Sequence, residues 1–144
     1  MEIQITCRHP IKNVDPVRVR MKLTRILKDL GCRDGELSLL FTDDKHIAEL
    51  NCRFLKREGP TNVLAFPMRD SDDIGLDIPM LGDIVISLDA AMRDAKSLGE
   101  TLDKAINRLL VHGLLHLFGY DHEKSEKEAR RMDEETDRIL TLMD

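Results

Sequence analysis

The chain has 144 residues and a mass of 16.5 kDa, the size of one domain built on one hydrophobic core. Apolar residues make up 42% and charged residues 34%, with a mean hydropathy of -0.30, and no window approaches the ~18 consecutive apolar residues of a membrane-spanning helix. The formal charge of -5 argues weakly against a nucleic-acid partner, but residues 1–69 are net +4 and residues 70–144 net -9, and local field rather than net charge decides binding.

The opening residues, Met-Glu-Ile-Gln-Ile-Thr-Cys, lack the basic-then-apolar order of a signal peptide and the Arg/Ser bias of a transit peptide. A cytoplasmic protein is expected. Ile3, Ile5 and Cys7 alternate as a first strand. Asp15 before Pro16 is a helix start, with the cap followed by proline at the first helical position. That helix runs through Met21, Ile26, Leu27 and Leu30, and Gly31 ends it. Leu37, Leu39 and Phe41 alternate as a second strand. Asp43 or Asp44 caps a short helix with Ile47, Leu50 and Phe54 on one face.

Asn62 to Phe66 is an apolar run closed by Pro67, which suits a strand buried on both faces. The acid-rich segment from Met68 to Met80 reads as a long loop, of a length at which loops tend to be functional or mobile. Ile84, Val85 and Ile86 form a fourth strand, followed by a helix over 88–98 that Gly99 stops. Thr101 caps the next helix, apolar nearly all round from Leu109 to Phe118, as a helix in the middle of a core must be. Ser125-x-x-Glu128 is a capping box for the last helix. The order β-α-β-α-β-β-α-α-α predicts an α+β layered domain spanning 1–144, with four strands and five helices.

Cys7, Cys32 and Cys52 are an odd number at wide spacing, with no Cys-x-x-Cys, so neither a zinc ribbon nor a disulfide framework is offered. The histidines are more informative. Three of five fall between 112 and 122, in His112-Gly-Leu-Leu-His116-Leu-Phe-Gly-Tyr-Asp-His122. His112 and His116 stand one turn apart on one helix face. Gly119 permits a tight turn that brings His122 back beside them. Burying such imidazoles without partners costs roughly 1–3 kcal/mol each, and a shared cation removes that cost. Three imidazoles at about 2.0–2.1 Å make a zinc-type site whose fourth position is left to water, the catalytic rather than the structural arrangement. Other divalent transition metals suit the same ligands. His9 and His46, isolated, read as ordinary structural histidines.

The spacing is that of the metzincin proteases, H-E-x-x-H-x-x-G-x-x-H, except that Gly113 replaces the glutamate acting as general base. A phosphodiester depends less on such a base, because zinc itself lowers the pKa of water it binds. A metallopeptidase or other metal hydrolase stays open, with Asp121 or Glu123 as substitutes, and so does a ribosome-assembly factor whose metal only staples the fold.

The segment His-Gly-x-Leu-His-Leu-x-Gly-Tyr-Asp-His resembles the signature of the bacterial YbeY-type rRNA maturation endoribonucleases. Leu50-Asn51, Pro60 to Pro67 and Leu81-Gly82-Asp83-Ile84 match in order upstream, so the resemblance covers roughly residues 36–144. It implies a mixed four-stranded sheet packed with helices, a metal at one end of a cleft, and a zinc-dependent RNase preferring single strands. It further implies work on the 3′ end of 16S rRNA and in ribosome quality control, with rRNA precursor and the small ribosomal subunit as partners. In one respect the chain departs from the family: Leu55 stands where an arginine often sits four residues after the asparagine. Arg53, Lys56 and Arg57 flank it, and Lys56 or Arg57 is expected to take over phosphate contact. Asp121 and Asp83 are the carboxylates expected to orient a histidine ligand or the attacking water, with capping of the turn after Gly119 as the structural alternative for Asp121.

Overall fold

The structure is a computed structural model describing residues 2–8, 14–32, 34–68, 80–121 and 123–143. Its elements follow the predicted order: β1 Glu2–Cys7, α1 Pro16–Asp29, β2 Glu36–Thr42, α2 Asp44–Leu55, β3 Val63–Pro67, β4 Met80–Ser87, α3 Leu88–Leu98, α4 Leu102–Leu117 and α5 Glu126–Met143. Most of the expected caps close these helices. Asp15 accepts from Val17 N at 3.0 Å, Asp43 from His46 N at 2.8 Å and Thr101 from Lys104 N at 3.2 Å. The segment 69–79, within the predicted long loop, lies outside the described residues, as does His9.

The four strands form one mixed sheet of order β1-β2-β4-β3, with β1, β2 and β4 parallel and β3 antiparallel to β4. Period-two alternation sends Leu37, Leu39, Phe41, Ile84 and Ile86 to one face, into the main core with α1, α4 and α5. The other face carries a smaller cluster of Leu64, Val85 and Ile47, the last from α2. Leu81 belongs by alternation to the second face yet packs in the main core. A bulge explains it: Glu36 faces Met80 and Leu37 faces Gly82, so Leu81 is the extra residue. Gly82 takes φ +134, and a Cβ there would lie 2.2 Å from the Phe66 carbonyl oxygen, so only glycine fits.

The first helix runs through Met21 as expected, with Met21 68% exposed and Val19, Leu23, Ile26 and Leu27 inward. The 62–66 run does pack on both faces, Val63 and Ala65 against the main core and Leu64 and Phe66 within the smaller cluster. It forms the edge strand of the sheet, antiparallel to β4. Apolar composition reports the two faces and is silent about the edge.

Candidate active site

Helix α4 carries the two described histidines of the cluster. Its inner side, with Leu110, Leu114 and Leu115 fully buried, is held by the core. His112 and His116, both half-buried, line a cleft of about 580 Å³. Their Nε2 atoms lie 3.1 Å apart, with rings at 71°. That separation is close to the edge of a tetrahedron of nitrogens around an ion at about 2.0–2.1 Å, which is roughly 3.3 Å. His112 and His116 could therefore hold one cation together. His122 lies outside the described residues, and among the described residues no three His, Cys, Asp or Glu side chains form a metal-holding group.

Past the end of α4, Gly119 adopts φ +92. Tyr120 N donates to Leu115 O at 3.0 Å and Gly119 N to His116 O at 3.1 Å, the paired bonds with which a glycine terminator reverses a chain. The reversal returns Tyr120, Asp121, Glu123 and Lys124 to the cleft. Asp121 Oδ1 accepts from Glu123 N at 2.9 Å, which holds this turn. The guanidinium of Arg131 sits 4.7 Å from the Tyr120 ring centroid, a cation–π contact from α5.

The opposite wall is the α2–β3 connection and β3 itself. Asn51 is buried on α2, and its Nδ2 donates to Gly59 O at 3.0 Å. Lys56 closes the helix at φ +54, ψ +36, the left-handed region where side chains are strained. This reversal aims the next residue: Arg57 lines the cleft, with Leu55, Thr61 and Asn62.

The structure thus gathers His112, His116, Asp121 and Arg57 around one cleft and leaves other predicted residues elsewhere. Arg53 lies 5.4 Å over the Phe54 ring, which meets Phe66 edge-on at 5.7 Å. Neither Arg53 nor Lys56 lines the cleft. Asp83 lines a separate hollow with Gln4 and Ser38, on the sheet face opposite Ile84 and α4. Asn62 and Tyr120, which also line the cleft, carried no independent signal in the sequence, and Asn51 and Thr61 stood out only within the motifs of the resemblance. Asn51 is a buried amide within an otherwise amphipathic helix, and that mismatch was the available hint.

Gly113 has a packing reason. A Cβ at this position would lie 2.9 Å from Ile84 Cγ2 and 3.2 Å from Ile84 Cδ1, so a glutamate here would force α4 off the sheet. The protease's general base has no place in this packing.

The sequence model of the endoribonuclease YbeY family matches residues 4–144. The chain belongs to that family. The YbeY match extends the earlier resemblance through α1 and into β1. A relative named endoribonuclease YbeY from Syntrophotalea carbinolica is 48% identical over 110 residues, covering 76% of this chain and 73% of its own. Another of that name from Geobacter sulfurreducens is 39% identical, covering 100% and 97%. The solution structure of TM1509 from Thermotoga maritima superposes with a TM-score of 0.70 at 26% identity, covering 98% of this chain and 88% of that one. This structural neighbour agrees with the α+β architecture described above. Among the described residues no helix is long and apolar enough to cross a membrane.

Proposed function

We propose that the chain is a cytoplasmic, metal-dependent endoribonuclease acting on single-stranded ribosomal RNA, with maturation of the 16S rRNA 3′ end and removal of defective rRNA as its work. The observation that carries the reading is the 3.1 Å approach of His112 and His116 Nε2 in a cleft that also holds Arg57 and Lys124. Family membership supports the reaction class. His112 and His116, with His122, would hold one zinc-type ion. When bound, such an ion supplies Lewis acidity toward a phosphoryl oxygen and toward the attacking group.

The chain's own residues do the rest. Arg57 and Lys124 neutralise and position the RNA backbone, Arg57 in bidentate fashion. Asp121 and Glu123 are the carboxylates of the cleft able to accept a proton near the histidines. A flexible single strand can bend its phosphate into the cleft, where a duplex presents a fixed shape.

The test is cleavage of a short single-stranded rRNA-derived oligonucleotide by the wild type and by His116→Ala purified identically. The wild type is expected to cut, the variant and the chelator-treated protein not. Equal cutting by both proteins would point to a contaminating nuclease, and cutting by neither would move the assembly-factor reading ahead.

A further inference from the structure

The cleft has a third component that the histidines and cations leave unused, the free side of β3. Ser87 N donates to Asn62 O at 3.0 Å and Met68 N to Leu81 O at 3.2 Å. With the register Leu64↔Val85 and Phe66↔Asp83, the ladder bonds to β4 therefore fall on residues 62, 64, 66 and 68. Antiparallel pairing alternates, so Val63, Ala65 and Pro67 turn their main-chain groups away from β4. β3 ends the sheet; the N–H and C=O of Val63 and Ala65 and the C=O of Pro67 face the open edge, and all three residues line the cleft. Among the described residues, no hydrogen bond ends on these groups. Proline at 67 fits the same alternation, since an outward position is where a missing N–H costs no ladder bond.

Resting on the endoribonuclease reading, we infer that the outward edge of β3 at Val63 and Ala65 reads the Watson–Crick edge of an unpaired base next to the scissile phosphate. An outward strand residue presents one donor and one acceptor side by side. Each RNA base offers the complement, one N–H beside one acceptor: the imino N–H and a carbonyl in uracil and guanine, the amino group and a ring nitrogen in adenine and cytosine. In a duplex the partner strand occupies that edge. A strand edge therefore selects for the unpaired state rather than for a base's identity. It supplies single-strand selectivity to a chain with 3% aromatic residues, and hence few rings for base stacking. The choice of RNA over a strand-forming peptide follows from the cleft that the edge shares with the histidine pair and Arg57.

The test is binding of two fluorescent probes in chelator, hexauridylate and its N3-methylated counterpart, in which the base's N–H is blocked. The wild type should bind the unmethylated RNA roughly three- to tenfold more tightly, the value of one or two net hydrogen bonds. Ala65→Pro, which removes one outward N–H and no ladder bond, should bring the ratio toward one; Val63→Pro is the second variant should the first fail to fold. Equal wild-type binding of the two RNAs, with cleavage intact, overturns this inference and leaves the endoribonuclease reading standing. Neither binding nor cleavage of RNA overturns both. A strand-forming peptide bound by the wild type and lost in Ala65→Pro, with the two RNAs bound alike, would give the edge to a protein partner and overturn the inference.

Discussion

At Gly113 two residue-scale effects oppose each other, and their magnitudes decide the outcome. Alanine inside a helix is favoured over glycine by about 1 kcal/mol. Here the added methyl meets Ile84 at 2.9 Å, on a fully buried side chain, and overpacking of this kind costs about 1–3 kcal/mol. Gly113→Ala should therefore lower Tm by up to roughly 8 °C, and a raised Tm in calorimetry would show that α4 can shift. Arg57 gives a second residue-scale expectation. Arg57→Ala should weaken RNA binding on the order of tenfold, the scale of a hydrogen bond to a charged group. Arg53→Ala and Lys56→Ala should stay within about twofold, because their side chains lie outside the cleft; a titration of the three variants decides it. From sequence Lys56 and Arg57 were equal candidates for phosphate contact. The left-handed turn at Lys56 sorts them, and a lysine in that conformation is not something composition announces.

At the scale of elements, the N-termini of α2 and α3 are tied together. Ser87 caps α3 by accepting from Ala90 N and donates its own hydroxyl to Asp44 Oδ1 at 2.7 Å, while Arg93 reaches Asp44 Oδ2 at 2.6 Å. The Arg93 hydrogen bond holds the Asp44 carboxyl below the usual carboxylate range, with Ser87 adding to it against partial burial. A carboxyl depressed in the folded state stabilises above its unfolded pKa near 4, and that stability is lost as pH falls through the folded value. The stability gap between wild type and Arg93→Gln should thus be full at neutral pH and close below about pH 4, as denaturant titrations at several pH values would reveal. The elements were legible because their signals are local: alternation in β1 and β2, proline after Asp15, glycine at 31, 99 and 119. The edge position of β3 was not legible. Its neighbours are set by chain crossings, and a five-residue apolar run looks the same inside a sheet as at its rim.

For the molecule as a whole, the histidine spacing predicted a shared site, and α4 places His112 and His116 together at one cleft. The residues of the opposite wall were named beforehand, Arg57 as a phosphate contact and Asn51 and Thr61 within the matching motifs, but their meeting with the histidines at one cleft depends on a tertiary turn that sequence does not announce. If one ion ties the α4 end together, its removal should be felt as stability, since a ligand bound only by the folded state stabilises by mass action. Chelator should lower the wild-type Tm and leave that of His116→Ala unchanged; an equal response in both would place the metal elsewhere.

The cleft's charge has a kinetic consequence. Arg57 and Lys124 are balanced by Asp121 and Glu123 among its described lining residues, in a chain of net charge -5. Two phosphate contacts on a single strand release few counterions, so log Kd should change with log salt by a slope of only about 1.4. Long-range attraction then adds little to the encounter rate. Such a nuclease ignores most of the polyanion around it. On the proposed reading it would cut where a single strand is already presented and stays long enough to fit.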